Sequence, residues 1–172
     1  MKQLRKKEPK VQLLFASSPD DELSLLARSK SKSICAYAAR LYDEVWPRWR
    51  LHGTVQISLQ FLSEEEMARI NGEYRGINAS TDVLTFPLYE NEGRFEPEEG
   101  LSPIILGDIV FCTPVITRNA LLHGVSTESE LALVIFHGML HLLAWDHDTP
   151  EKESVMWKVQ ERYRDMFLAE CE

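Results

Sequence analysis

The stretch HGMLHLLAWDH, running from His137 to His147, decides how this 172-residue chain is read. It holds three of the five histidines, spaced four and then six residues apart. On an α-helix each residue turns the chain by about 100°. His137 and His141 therefore project from one face, one turn apart, where two imidazoles can converge on one ion. His147 would swing to another side if the helix ran on, so the chain has to break after Leu143 and fold back. Three imidazoles gathered in this way make a three-nitrogen metal site with a fourth position left open, the arrangement of a catalytic ion rather than a closed structural one.

Working outward, the helix that carries the first two histidines is expected from Glu130 to Leu143, with Ser126 or Thr127 as its cap. It is apolar nearly all round, which places it at the centre of a domain. Thr149-Pro150 opens a last helix, whose buried face is expected to be Val155, Met156, Val159, Tyr163 and Phe167. Upstream, Val11 to Ala16 reads as a short strand. A helical pattern then runs from about Leu23 to Trp46, with Ile34, Ala38, Leu41 and Val45 at helical spacing and Pro47 as its stop. Val55 to Leu62 alternates as a strand does. Ser63 with Glu66 forms a capping box for a helix through Tyr74. Val83 to Leu88 and Ile104 to Cys112 are β-rich, separated by the acidic ENEGRFEPEEGLSP (Glu90 to Pro103), read as a mobile solvated connection. Thr113 followed by Pro114 reads as an N-cap with proline at the first helical position. The expected fold is α+β in segregated order. It has a small mixed four-stranded sheet covered by helices, with a central buried, zincin-like helix carrying the metal-binding histidines.

Length and composition fit one domain spanning 1–172, with residues 1–10 as a flexible basic tail. No run approaches the roughly 18 apolar residues of a membrane helix. The apolar stretch after the basic start is too short for a signal sequence, and the odd number of cysteines (Cys35, Cys112, Cys171) lacks a CxxC pair. A cytoplasmic location is expected. The net charge of −8 is unevenly spread, with 11 Lys/Arg against 6 Asp/Glu in residues 1–50 and 8 against 21 in the rest. A local basic surface can bind phosphates whatever the total.

Neutral imidazoles suit zinc, and nickel or copper would also accept them. An ion held by three neutral ligands keeps its full charge, polarises a phosphoryl or carbonyl oxygen and acidifies water, so hydrolysis is the natural reaction class. The first two histidines follow the spacing of the zincin pattern H-E-x-x-H, but the glutamate that would be the general base is Gly138 here. That loss weakens a peptidase reading, and the glycine is read as clearing space beside the metal. Ala144 stands where metzincins turn the chain with glycine, and a left-handed alanine costs about 1 kcal/mol or more. Asp146 could orient a ligand or act on the attacking water, whereas Asp148 reads as loop polarity. In NGEYRGINASTDVLTFP (Asn71 to Pro87), Arg75 offers bidentate donation to phosphate if the fold brings it to the metal. Asp82 is expected to fix the turn. LGDIVFC (Leu106 to Cys112) reads as a core strand. His52 and His123 lie outside the cluster.

Three blocks together resemble one family. HGMLHLLAWDH resembles the H-G-x-L-H-L-x-G-[YF]-D-H signature of the YbeY family of bacterial endoribonucleases and rRNA maturation factors. NGEYRGINASTDVLTFP is similar to its N-x-x-Y-R…P-T-D-V-L-S-F-P block, and LGDIVFC to its L-G-D-I-x-I strand. The resemblance implies one zinc ion on His137, His141 and His147, phosphate binding by Arg75, and catalytic roles for Arg75 and His137. It implies metal-dependent, single-strand-specific RNA cleavage in maturation of the 16S rRNA 3′ end and in ribosome quality control. The implied partners are ribosomal RNA and the small ribosomal subunit, with ribosomal proteins or an assembly GTPase. Ala144, Trp145 and Ser80 depart from the pattern, and Ser80 is expected to loosen the approach to the strand after it. Two other readings stand beside this one: a non-catalytic assembly factor stapled by its metal, and a zincin-like amide hydrolase.

Overall fold

The computed structural model describes residues 10–16, 21–46, 53–98 and 102–171. Four strands form the main sheet: β1 (Lys10–Phe15), β2 (Thr54–Leu62), β3 (Val83–Pro87) and β6 (Ile104–Cys112). Their order is β1-β2-β6-β3. The first three run parallel, and β3 closes one edge antiparallel to β6. Six helices accompany them: α1 (Glu22–Ser29), α2 (Ser31–Val45), α3 (Glu64–Arg75), α4 (Thr113–His123), α5 (Thr127–His141) and α6 (Pro150–Cys171). The α+β class and the mixed four-stranded sheet match the expectation. The segregated order does not, because parallel neighbours need crossovers and the helices are therefore interleaved with the strands.

Alternation along β2 decides which face is covered. Val55, Ile57, Leu59 and Phe61 are buried, while Gln56, Ser58 and Gln60 between them are half-buried. The buried set joins Leu106, Ile109 and Phe111 of β6 in a core shared with α1, α2, α5 and α6. A smaller cluster, built from Leu62, Met67, Leu84, Val110 and Cys112, seats α3 against the other side. The capping box is present, since Ser63 Oγ accepts from Glu66 N–H while Glu66 Oε2 accepts from Ser63 N–H. Ser126 caps α5 by accepting from Ser129 N–H.

Five expectations need correction. The Leu23–Trp46 helix is two helices, broken at Lys30, whose N–H still closes on Leu26. Periodicity cannot see this break, because Leu23, Ala27, Ile34, Ala38 and Leu41 all reach the same core on either side of it. The acidic connection contains a hairpin, β4 (Glu90–Asn91) with β5 (Arg94–Phe95). Its two-residue turn has positive φ at both Glu92 (49°) and Gly93 (74°), the conformation of tight hairpins that follow the strand twist. Phe95 anchors it edge-on to Trp46 at 4.4 Å. Thr113 does not cap α4. Cys112 holds the N-cap position, and Thr113 Oγ1 donates to Asp21 Oδ1 at 2.8 Å. Val155 is exposed, and the buried stripe of α6 is Met156, Gln160, Tyr163 and Phe167. Lys10 begins β1 rather than ending a tail, while residues 1–9 and His52 lie outside the described residues. No helix among the described residues is long and apolar enough to cross a membrane.

Candidate functional site

Helix α5 packs against β6 and the edge strand β3, and His141 at its end shares a cleft with Thr85 and Pro87 of β3. Gly138 is what allows the close approach. A Cβ there would lie 2.7 Å from Ile109 Cγ2 and 3.1 Å from its Cδ1. Gly138 thus serves helix-to-sheet packing, correcting the expectation that it opens space beside a metal. A glutamate at this position would have to push the Ile109 side chain aside.

The helix ends in a Schellman motif. Trp145 N–H reaches back to Leu140 O at 3.2 Å and Ala144 N–H to His141 O at 3.0 Å. The motif needs a left-handed residue before the last donor, and Ala144 supplies it with φ of 58°. The reversal carries His147 back beside its fellows. The ring centroids lie 4.5 Å (His137 to His141), 5.7 Å (His137 to His147) and 5.4 Å (His141 to His147) apart. One ring nitrogen from each falls within 4.8 Å of the others, and among the described residues this is the group of three placed to share an ion.

The chemistry of the donors fits a cation. His137 Nδ1 lies 2.8 Å from Gln160 Oε1, an acceptor, an arrangement that favours the tautomer protonated at Nδ1. The backbone of Trp145 hydrogen-bonds the His141 ring in the sense that favours a proton on it. Nε2 of His141 faces Nε2 of His137 at 3.0 Å, which leaves Nδ1 for that bond. At that separation the two nitrogens need a proton or a cation between them. A tetrahedral ion with bonds of about 2.0–2.1 Å would hold its nitrogens about 3.3 Å apart, near the distance observed. Burial lowers the pKa of both rings. His137 is pushed down by desolvation, against the Gln160 bond. His141 is pushed down to about 4 by desolvation first, then by the charges of His137 and His147. Both rings are therefore neutral at pH 7, the state a metal requires.

An open cleft with about 590 Å³ of empty space adjoins the trio, lined by Arg75, Thr85, Pro87, Glu90, Gly93, His141, Ala144, Trp145 and Asp146. Arg75, 66 residues upstream of His141, lines the same cleft, which meets the condition its chemistry depended on, and its charge is felt at His137. It sits in the last turn of α3, where Gly76 reverses the chain with φ of 70°. Asn71 Nδ2 donates to Ala79 O at 2.7 Å and pins the returning loop. Ser80 ties that loop down rather than loosening it, donating to Glu64 Oε1 at 3.3 Å, which also accepts from Arg118. Asp82 fixes the entry to β3, with Oδ1 accepting from Val83 N–H at 2.8 Å and Oδ2 from Asn119. Asp146 lines the cleft, and its Oδ1 accepts from His147 N–H at 2.8 Å. Asp148 pairs with Lys152 beside His147, and His123 pairs with the buried Glu130. Gln160 was missed by the sequence reading. Its signal is a lone amide in the stripe Met156–Gln160–Tyr163–Phe167.

Comparison with known proteins is consistent across sequence and structure. A family model described as Endoribonuclease YbeY matches residues 25–167. A relative from Halalkalibacterium halodurans, named Endoribonuclease YbeY, is 44% identical over 112 residues, 63% of this chain and 70% of that protein. One of the same name from Salinispora tropica is 36% identical over 134 residues, 76% of this chain and 83% of that protein. The solution structure of TM1509 from Thermotoga maritima is similar with a TM-score of 0.61 at 25% identity, covering 91% of each chain.

Proposed function

This chain belongs to the YbeY endoribonuclease family, and on that footing we propose that it is a metal-dependent endoribonuclease using one ion held by His137, His141 and His147. The observation that carries the metal is the opposed pair of Nε2 atoms 3.0 Å apart, with a ring nitrogen of a third imidazole within 4.8 Å of them. Zinc suits neutral imidazoles in a site with an open position, and it is the ion the family resemblance implies. Such an ion supplies Lewis-acid polarisation of a phosphodiester and of the group that attacks it.

The rest of the chemistry belongs to the chain. Arg75 binds the scissile phosphate through its guanidinium, which stays charged at every working pH and opposes the negative charge that gathers on the phosphorane oxygens. Gln160 and the Trp145 backbone hold their protons on His137 and His141 and keep both rings turned inward. Asp146 accepts from the backbone N–H of His147 and so sets the start of the returning segment. The β4–β5 hairpin forms the far wall of the cleft with Glu90 and Gly93. A single strand lying in this cleft would run between Arg75 and His141. We assign the substrate as single-stranded RNA of the small ribosomal subunit, including the 3′ end of 16S rRNA. Small-subunit ribosomal proteins or an assembly GTPase are the accompanying partners, in the cytoplasm.

The test is cleavage of a single-stranded RNA spanning the 16S 3′ end by purified protein, with chelator, after zinc readdition, and with H141A. Loss with chelator, return with zinc and inactivity of H141A are expected. Equal cutting by H141A would overturn the reading. RNA binding without turnover in the zinc-loaded protein would favour an assembly factor stapled by its metal. Product ends distinguish the nucleophile, since attack by the neighbouring 2′-hydroxyl leaves a cyclic phosphate and attack by water does not.

A further inference from the structure

His137 turns one ring nitrogen towards the trio and the other towards α6. Gln160 meets that second nitrogen from a helix 23 residues further on, with Oε1 at 2.8 Å from Nδ1. The amide is 2% exposed and stands in a stripe that otherwise buries Met156, Tyr163 and Phe167. An apolar residue would continue that stripe without loss. Burying an amide is unfavourable unless its polar atoms are bonded, so its presence there calls for a task that an apolar side chain cannot perform.

We propose that Gln160 is the positioning residue of the metal centre, fixing His137 as the tautomer protonated at Nδ1 so that its Nε2 lone pair points at the space shared with His141 and His147. This rests on the metal reading above. A neutral imidazole has two tautomers, and only the one bare at Nε2 can act as a ligand from this side of the ring. An amide oxygen can only accept, so it selects that tautomer and also holds the ring plane. The other supports of the trio are local. His141 is bonded to the backbone of Trp145, and His147 follows Asp146, whose side chain caps its N–H. Gln160 is the support that comes from another helix. It therefore couples docking of α6 to completion of the centre, and binding of the ion should in turn tighten α6 against α5.

The experiment uses the full chain with ¹⁵N-labelled histidine and three forms: wild type, Q160M and Q160E. In the metal-free wild type, long-range ¹H–¹⁵N correlation should find the His137 proton on Nδ1. Q160M matches the volume and removes the acceptor. It should lose that preference and bind zinc about 10–100-fold more weakly, the range typical of removing a hydrogen-bond partner behind a ligating histidine. Q160E keeps an acceptor and should hold the Nδ1 proton with zinc affinity at least equal to wild type. Hydrogen exchange of α6 amides should slow on zinc addition in wild type and in Q160E. A wild-type His137 protonated at Nε2, or a Q160M protein that binds zinc as tightly as wild type, overturns the proposal. Should Q160M fail to fold, the wild-type tautomer and the Q160E affinity still decide. A wild type that binds no zinc at all refutes the metal reading instead, and the tautomer measurement then judges Gln160 separately.

Discussion

Replacing Ala144 with glycine should stabilise the protein. Ala144 occupies the C′ position of the Schellman motif that ends α5, with φ of 58°. A residue with a Cβ is disfavoured in that conformation by roughly 1–2 kcal/mol. Glycine relieves this but gives the unfolded chain more freedom, offsetting about 0.4–1 kcal/mol. The net gain is about 0.5–1 kcal/mol. At the usual 2–4 °C per kcal/mol for a chain of this size, Tm should rise by about 1–4 °C. Valine at the same position should do the opposite, lowering stability by at least about 1 kcal/mol, because a branched Cβ crowds the left-handed backbone further. The assay is urea and thermal unfolding of metal-free protein, so that ligand linkage does not hide the difference. An A144G protein no more stable than wild type, together with a tolerated A144V, would mean that the turn before His147 is not left-handed.

Other perturbations follow from the site. Arg75 is exposed, so R75A should leave unfolding within about 0.5 kcal/mol of wild type while reducing RNA cleavage about 10²–10³-fold; an R75A protein as active as wild type removes the residue from the mechanism. G138A should lose about 1–3 kcal/mol through overpacking against Ile109. Urea unfolding of G138A, I109A and the double variant should show the two losses to be less than additive by about 1 kcal/mol, whereas simple additivity would place the clash elsewhere. In metal-free protein the folded His141 binds its proton only near pH 4 while the unfolded residue binds it near 6.5. The unfolded state therefore holds more protons between those values, and stability is full above pH 6.5 and falls as pH drops towards 4. H141Q should flatten that slope in urea titrations at pH 7 and pH 4.5, and an equal slope in both proteins contradicts the assignment.

How far the sequence disclosed the molecule depended on what kind of contact a feature needs. The capping box of α3, a cap for α5 at Ser126 or Thr127, strands β2 and β6 and the histidine trio were legible because each is set by local spacing. So was a reversal before His147, since a six-residue gap after His141 demands one, but whether Ala144 or a different turn made it was open until its φ of 58° was seen. The break at Lys30 was hidden because two short helices facing one core share one apolar period. The β4–β5 hairpin was hidden by acidic composition, although Glu92-Gly93 and the flanking Tyr89 and Phe95 held its turn and its anchor. Gly138 was misread because a glycine in a buried helix looks alike whether it clears a site or admits a neighbouring strand, and only Ile109 decides between them. Arg75 had the right chemistry, but its position beside His141 is a property of the sheet edge. Gln160 required knowing that α6 crosses α5 at His137.

The central claim is that three imidazoles hold one ion with a side left open. X-ray absorption at the zinc edge, on protein loaded with one equivalent of zinc, tests it most directly. Three imidazole nitrogens and one oxygen donor at about 2.0 Å are the result expected, and H141A should lose one imidazole from that shell. A spectrum without an imidazole shell, or one unchanged in H141A, would contradict it.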